Sequence, residues 1–148
     1  MPPRVRLDTD GSVVTVRLDH PPMNAFDTAQ REELAAQVRR LADSREVRAV
    51  VLYGGERLFA AGADVKALAV MDPEDVRGWN RALQRTFDEV ARLPMPVVAA
   101  ITGYALGGGL ELALAADVET GTAAGVKVPT TDKQPTISNA EVDRMMKE

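Results

Sequence analysis

The twenty-residue segment 97–116 constrains the fold more than any other part of the chain. It reads VVAAITGYALGGGLELALAA and carries a single charge, Glu111. A run of this length is enough to cross a bilayer. Three consecutive glycines interrupt it, however, and each lowers helix stability by roughly 1 kcal/mol relative to alanine. The flanks lack aromatic belts, and Glu111 would lie in hydrocarbon. We therefore predict a buried strand, a glycine turn and a buried helix, with no membrane partner.

Apolar patterning up to residue 117 alternates between strand and helix periods. We predict strands over residues 4–8, 13–18, 49–53 and 97–101. We predict helices over residues 27–41, 72–93 and 110–116. Asp27 or Thr28 is the expected N-cap of the first helix. The run AVVLY at 49–53 is typical of a strand buried on both faces. Strands that alternate with helices predict parallel pairing in an α/β fold.

Composition changes after residue 117. Residues 118–136 are rich in Thr, Gly and Pro and have no helical period, so we interpret them as loop, linker or edge strand. Ser138 and Glu141 have the spacing of a capping box before a short final helix. We therefore divide the chain into a domain at 1–117 and an atypical tail at 118–148.

Composition also excludes several classes of chemistry. The absence of cysteine excludes disulfides, thiolate metal sites and cysteine nucleophiles. A lone histidine, His20, argues against a histidine metal centre or a Ser-His-Asp triad, and we expect no metal. The net charge of −4, without a Lys/Arg cluster, argues against a nucleic-acid partner. The N-terminus lacks the apolar run of a signal peptide, which favours a cytoplasmic protein.

Two glycine-bearing loops carry the candidate chemistry. Residues 59–66 (FAAGADVK) and 103–111 (GYALGGGLE) each follow a predicted strand. Small residues let a ligand approach the main chain closely, so an N–H from each loop is able to converge on one oxygen. A helix that begins at the second loop favours a developing anion, and Glu111 in its first turn is placed to move a proton nearby.

Each of these features also has a purely structural interpretation. The glycine run is compatible with a tight turn, and Glu111 with a favourable charge at a helix N-terminus. Asp64 fits an N-cap, Lys66 a solvated side chain, and His20 a turn residue beside two prolines. Taken one at a time, these residues identify no site.

Taken together, three sequence blocks resemble the enoyl-CoA hydratase/isomerase (crotonase) family. They are HPPMNAFD, FAAGADVK and PVVAAITGYALGGGLELALAAD, in the family's order and spacing, and the resemblance covers about residues 3–117. It implies an α/β crotonase-like (ClpP/crotonase) fold, a spiral of ββα units. It also implies an acyl-CoA thioester as the ligand, with CoA as part of the substrate and no separate cofactor, and a homo-oligomer, a trimer or hexamer.

The same resemblance assigns residues. Ala63 and Gly108 become the two oxyanion-hole N–H donors, which would stabilise a thioester enolate. Glu111 becomes the first of two catalytic glutamates. The residues implied for substrate binding are Met23, Ala25, Ala61, Asp64, Val65, Lys66 and Gly107.

The tail departs from the family pattern. Residues 134–136 read Gln-Pro-Thr, where the family often has Gln-Pro-Glu with the second catalytic acid. We therefore expect an apparently truncated crotonase-like domain. Two alternatives to an enzyme stay open, a non-catalytic acyl-CoA-binding or oligomer-partner module and an associating fragment. The sequence does not distinguish hydration from isomerisation or another enolate reaction, and it does not define the acyl chain.

Overall fold

The structure, a computed structural model, describes residues 1–121. In this part of the chain one sheet has the strand order β1-β2-β3-β4-β5. Its strands are β1 (Val5–Asp10), β2 (Val13–Leu18), β3 (Ala49–Tyr53), β4 (Val97–Ile101) and β5 (Val118–Gly121). The first two form an antiparallel hairpin, and each later strand pairs in parallel with the one before it.

Helices connect the parallel strands. They are α1 (Thr28–Ala42), α2 (Val65–Ala69), α3 (Pro73–Ala91) and α4 (Gly108–Leu114). The side chains of Asp27, Asp64 and Asp72 accept N–H bonds from the first turns of α1, α2 and α3. Such caps satisfy amides that have no partner within the helix. Helix α3 contacts both α1 and α4, so the helices lie together against the sheet.

The core lies between the sheet and these helices. Alternate residues of β2, β3 and β4 are buried, which is the period of a strand that has one face on the core. The apolar stripe of α3, formed by Trp79, Leu83, Phe87 and Val90, is buried against them, and Phe87 meets Phe26 edge-on at 5.9 Å between ring centroids. Phe26 and Phe59 are fully buried, and both belong to the loops that lead to the candidate site.

Most predicted elements are present. The strands at 13–18, 49–53 and 97–101 agree with the prediction residue for residue. The prediction that β3 is buried on both faces is wrong, because Val51 and Tyr53 are half-buried on the face away from the helices. Helix α2 was not predicted; it has only five residues and buries none of them, so it leaves no apolar period.

The apolar segment 97–116 divides as predicted into a strand, a glycine turn and a short helix. No helix within residues 1–121 is both long and apolar enough to span a membrane. Strand β5 begins at Val118, at the predicted domain boundary, and continues the same sheet beside β4. The final helix predicted around residues 138–146 lies outside the described residues, as do residues 134–136.

Candidate functional site

The first glycine-bearing loop is paired with the segment that precedes α1. Ala61 N donates to Met23 O at 3.0 Å, and Phe26 N donates to Gly62 O at 2.7 Å. Asp64 N then donates to Phe26 O at 2.9 Å, which completes a short parallel bridge. Two of the three recognised sequence blocks are therefore joined by main-chain bonds, close together in space although far apart in sequence.

The second glycine-bearing loop pairs with the opposite side of the first. Phe59 N donates to Tyr104 O at 2.9 Å, and Leu106 N donates to Ala60 O at 2.9 Å. Ala60 and Ala105 form another parallel bridge. Residues 59–64 thus lie between the other two blocks, with hydrogen bonds to both.

Two amide groups at this junction have no hydrogen-bond partner in the described part of the chain. Ala63 is bridged to Phe26, and the bonds of that bridge are made by its neighbours, Gly62 and Asp64. The Ala63 N–H therefore points away from Phe26 and donates to no group in residues 1–121. Gly108 is the first residue of α4, where helical amides have no intrahelical acceptor, and its N–H is likewise free in residues 1–121.

The two free amides lie on loops that touch. A Cβ added to Gly62 would stand 3.3 Å from Gly108 N and 3.0 Å from Leu106 O. Gly62 has a φ of +95° and Gly107 a φ of +50°, in the left-handed range that side chains disfavour. Because Gly62 directly precedes Ala63, and Gly107 directly precedes Gly108, these two glycines bring the free N–H groups to one place.

Glycine at 109 is needed for a different reason. A Cβ there would stand 2.3 Å from Ala60 O, closer than any real contact. At Gly108, in contrast, a Cβ would meet Leu83 Cδ2 at 3.5 Å and Phe26 Cδ2 at 3.6 Å, which are ordinary contacts. The Gly-Gly-Gly run therefore contains one position fixed by packing against the first loop and one that tolerates a methyl group.

Glu111 lies in the first turn of α4, as predicted, and its N–H donates to Gly107 O at 3.0 Å. Its side chain is exposed. Gln84 Nε2, on α3, donates to Glu111 Oε2 at 2.7 Å. One carboxylate oxygen is thus held by a neighbouring helix, and Glu111 Oε1 accepts no hydrogen bond from residues 1–121.

Asn24 holds the first loop, and the sequence analysis missed it. Its side-chain amide donates to Gly54 O at 2.6 Å and to Phe59 O at 3.1 Å. Its Oδ1 accepts from His20 N at 2.8 Å. Asn24 is buried and has a φ of +50°, a conformation that asparagine tolerates better than most residues. An asparagine within the turn-forming run at residues 20–24 was the sequence feature that could have indicated this role.

The other predicted substrate-binding residues lie around the same junction. Met23 and Ala61 are half-buried and bonded to each other, and Ala25 O accepts from His20 Nδ1 at 2.9 Å. Val65 and Lys66 are exposed in α2. The seven residues are Met23, Ala25, Ala61, Asp64, Val65, Lys66 and Gly107, and all belong to the three paired segments or to the turn of α2 that follows. The prediction that they line a CoA site stays a prediction.

Two carboxylates close to these loops in sequence, Asp64 and Asp117, have structural partners. Asp64 Oδ1 accepts from Lys66 N and Ala67 N, as an N-cap. Asp117 Oδ2 accepts from Val97 N at 2.8 Å, which ties the end of the α4 segment to β4. In residues 1–121 no cluster of three or more potential ligand side chains has the geometry of a metal site.

The sequence profile of the enoyl-CoA hydratase/isomerase family matches residues 8–124. The chain belongs to that family. The match includes all three paired segments and extends past residue 117, the predicted end of the family-like domain. The predicted family membership is therefore confirmed.

Two named family members show how similar the chain is to the family in sequence and how much of each protein it covers. A probable enoyl-CoA hydratase of Mycobacterium tuberculosis, EchA17, is 43% identical over 108 residues, which are 73% of this chain and 41% of that protein. The carnitinyl-CoA dehydratase of Proteus mirabilis is 42% identical over 118 residues, 77% of this chain and 44% of its own. The chain spans less than half the length of these family members.

Solved structures give the same result for the fold. The enoyl-CoA hydratase of Bacillus anthracis superposes with a TM-score of 0.77 at 38% identity, over 80% of this chain and 47% of that one. An enoyl-CoA hydratase/carnitine racemase of Magnetospirillum magneticum gives 0.76 at 32% identity, over 80% and 46%. The predicted crotonase-like α/β fold is confirmed for the described part of the chain.

Proposed function

We propose that this chain binds an acyl-CoA thioester at the junction of residues 59–64 and 104–108, with the thioester oxygen between the N–H groups of Ala63 and Gly108. One observation carries the proposal: two amides from separate loops are brought together, and neither has a partner in residues 1–121. Ala63 and Gly108 are half-buried, and their fixed, unpaired N–H groups bind an acceptor without first breaking a protein hydrogen bond, which favours a ligand that accepts from both.

The pair of N–H donors at Ala63 and Gly108 suits a thioester whose oxygen gains negative charge. Two converging N–H donors stabilise an oxyanion more strongly than a neutral carbonyl, so they favour an enolate over the ground state. The family members named above act on an enoyl-CoA and on carnitinyl-CoA, according to their names. We assign the chain the same substrate class.

Glu111 is the proposed proton-transfer residue. Its position in the first turn of α4 puts its carboxylate on the helix whose first amide, at Gly108, belongs to the proposed oxyanion hole. A carboxylate there is placed to take a proton from, or return it to, the carbon next to the thioester carbonyl. As that proton leaves, the electron pair moves onto the oxygen held by the two amides.

A second candidate is binding without turnover. It is favoured by the structural use of the neighbouring carboxylates, since Asp64 caps α2 and Asp117 binds Val97 N. Within residues 1–121 these bonds occupy Asp64 and Asp117, whereas Glu111 keeps one carboxylate oxygen without a partner. Water addition needs a group that activates water as well as one that protonates carbon, and a single carboxylate serves a proton shuttle more readily. The predicted homo-oligomer and cytoplasmic location stay predictions under both candidates.

Calorimetry and a turnover assay on the full 148-residue chain separate the two candidates. We expect a short-chain enoyl-CoA to bind, and Glu111→Gln to leave its affinity nearly unchanged. If the chain is an enzyme, Glu111→Gln should reduce kcat by roughly 10²- to 10⁴-fold, as is typical of general acid–base groups. Binding without turnover supports the second candidate.

Free CoA is the matched control ligand, because it lacks the thioester carbonyl. Equal affinity for free CoA and the thioester would contradict the proposed binding of the thioester oxygen by the two N–H groups. Full activity in Glu111→Gln would leave Glu111 with the role of a helix-terminal charge.

A further inference from the structure

We infer that Gln84 is a positioning residue for Glu111, an inference that rests on the proposed function. The two residues are 27 positions apart in sequence and belong to different helices, α3 and α4. Their contact is a side-chain hydrogen bond of 2.7 Å, from Gln84 Nε2 to Glu111 Oε2. At this length the amide dipole is directed at a carboxylate oxygen, which makes a charge-assisted bond.

The packing of α3 on α4 fixes where the Gln84 amide lies. The neighbouring residue, Leu83, is buried, and its Cδ2 stands 3.5 Å from the Cβ position of Gly108. Leu83 therefore packs beneath the first residue of α4 while Gln84 reaches Glu111 three residues further on. The contact between Leu83 and Gly108 therefore positions both the Gly108 N–H, the proposed oxyanion donor, and the Gln84 amide that binds Glu111.

The bond from Gln84 gives the two carboxylate oxygens of Glu111 different roles. Oε2 is held by Gln84, whereas Oε1 accepts no bond from residues 1–121 and is left for the substrate. An exposed glutamate samples several rotamers, and a bond to one oxygen restricts them. Restricting them in advance lowers the cost of reaching the reactive geometry.

This role predicts a particular pattern of kinetics. Gln84→Met keeps an unbranched side chain of similar length and removes the amide. We expect kcat to fall by roughly 10-fold, the effect of losing one hydrogen bond to a charged group in an exposed setting, with KM nearly unchanged. Gln84→Lys restores a donor and should recover much of kcat. Gln37→Met, the same change on α1 at a residue bonded to Arg40, is the control and should keep full activity.

A double-mutant cycle separates positioning from a general effect on structure. In the Glu111→Gln background, Gln84→Met should change kcat by less than about 2-fold, because the group that it positions is already gone. A further fall of the full single-mutant size would mean that Gln84 acts independently of Glu111 and would overturn the inference. Unchanged kcat in the Gln84→Met single variant would overturn it as well.

The contact itself is testable without turnover. In the nuclear magnetic resonance spectrum of the full chain, the side-chain NH₂ signals of Gln84 should shift in Glu111→Ala and stay in place in Glu46→Ala, which removes an exposed carboxylate that lies on neither α3 nor α4. Unshifted signals in Glu111→Ala would overturn the inference. If the wild type binds a thioester without turnover, the enzymatic proposal fails together with the kinetic role of Gln84, while the spectrum still decides whether the contact exists.

Discussion

The two loops that meet at the candidate site are held in place by different means. Residues 59–64 are held from outside, by main-chain bonds to residues 23–26 and by the side-chain amide of Asn24. Residues 103–109 are held by main-chain bonds to residues 59–60 and by close packing that requires glycine, since Gly109 packs directly on Ala60 and the N-cap of α4, Gly107, has no capping side chain. The first loop depends on a residue in another segment, and the second depends on its own glycines.

This difference determines which substitutions the site tolerates. Alanines already occupy positions 60, 61 and 63, so a methyl group is compatible with most of the first loop. In the second loop a methyl group at 109 would collide with main chain, which has no alternative rotamer to adopt. We therefore expect an added methyl group to lower the free energy of unfolding strongly in the second loop and only moderately in the first.

The largest effect should come from Gly109→Ala. Its Cβ would stand 2.3 Å from Ala60 O, so the two loops would have to separate. Overpacking typically costs about 1–3 kcal/mol and sometimes more, and we expect the upper end of this range or loss of folding. Thermal or urea unfolding followed by circular dichroism measures the change in the free energy of unfolding.

Gly108→Ala is the matched control for that substitution. Its Cβ would make ordinary contacts with Leu83 and Phe26, so we expect a change in unfolding free energy below about 1 kcal/mol. Equal destabilisation at positions 108 and 109 would contradict the account of the second loop.

An intermediate effect is expected for Asn24→Ala. The change removes the hydrogen bonds to Gly54 O and Phe59 O and leaves a half-buried and a buried carbonyl without the amide donor. Such losses typically cost about 1–3 kcal/mol. Urea unfolding should therefore give an unfolding free energy about 2 kcal/mol below that of the wild type.

Asn24→Gly separates the amide bonds from the backbone conformation. At a φ of +50° glycine avoids the roughly 1–2 kcal/mol that a left-handed residue costs, so Asn24→Gly should be more stable than Asn24→Ala and less stable than the wild type. Wild-type stability in Asn24→Gly would show that the Asn24 side chain does not hold the first loop.

The smallest effect should come from Asp64→Ala at the start of α2. The substitution removes the N-cap bonds to Lys66 N and Ala67 N, and such a loss typically costs about 1 kcal/mol. Asp64→Asn keeps a capping oxygen and should stay within a few tenths of a kcal/mol of the wild type. A large loss in Asp64→Asn would mean that the negative charge matters more than the cap.

The parts of the fold that the sequence predicted are those with strong local patterns. Strands β2, β3 and β4 are short apolar runs between turn residues, and α3 has an apolar stripe with Pro73 in its first turn. The candidate site was predicted through the long, specific block that contains the glycines. Gly108 and Glu111 lie where that block implied, at the start and in the first turn of α4.

The parts that the sequence did not predict depend on contacts between distant segments. Gln84 is an exposed polar residue on a helix, and nothing within its own segment indicates that it meets Glu111. Helix α2 has too few residues to establish a period, although Asp64 was noted as a possible cap. The partial burial of one face of β3 depends on which residues pack across the sheet, and the run AVVLY does not encode this.

The central claim is that the N–H groups of Ala63 and Gly108 share one thioester oxygen. Titration of the full ¹⁵N-labelled chain with a short-chain enoyl-CoA, followed by amide resonances, tests it directly. We predict that the amide protons of Ala63 and Gly108 shift downfield together with the thioester, and that free CoA, which lacks the carbonyl, moves neither. Thioester binding that shifts other amides and leaves these two in place would contradict the account.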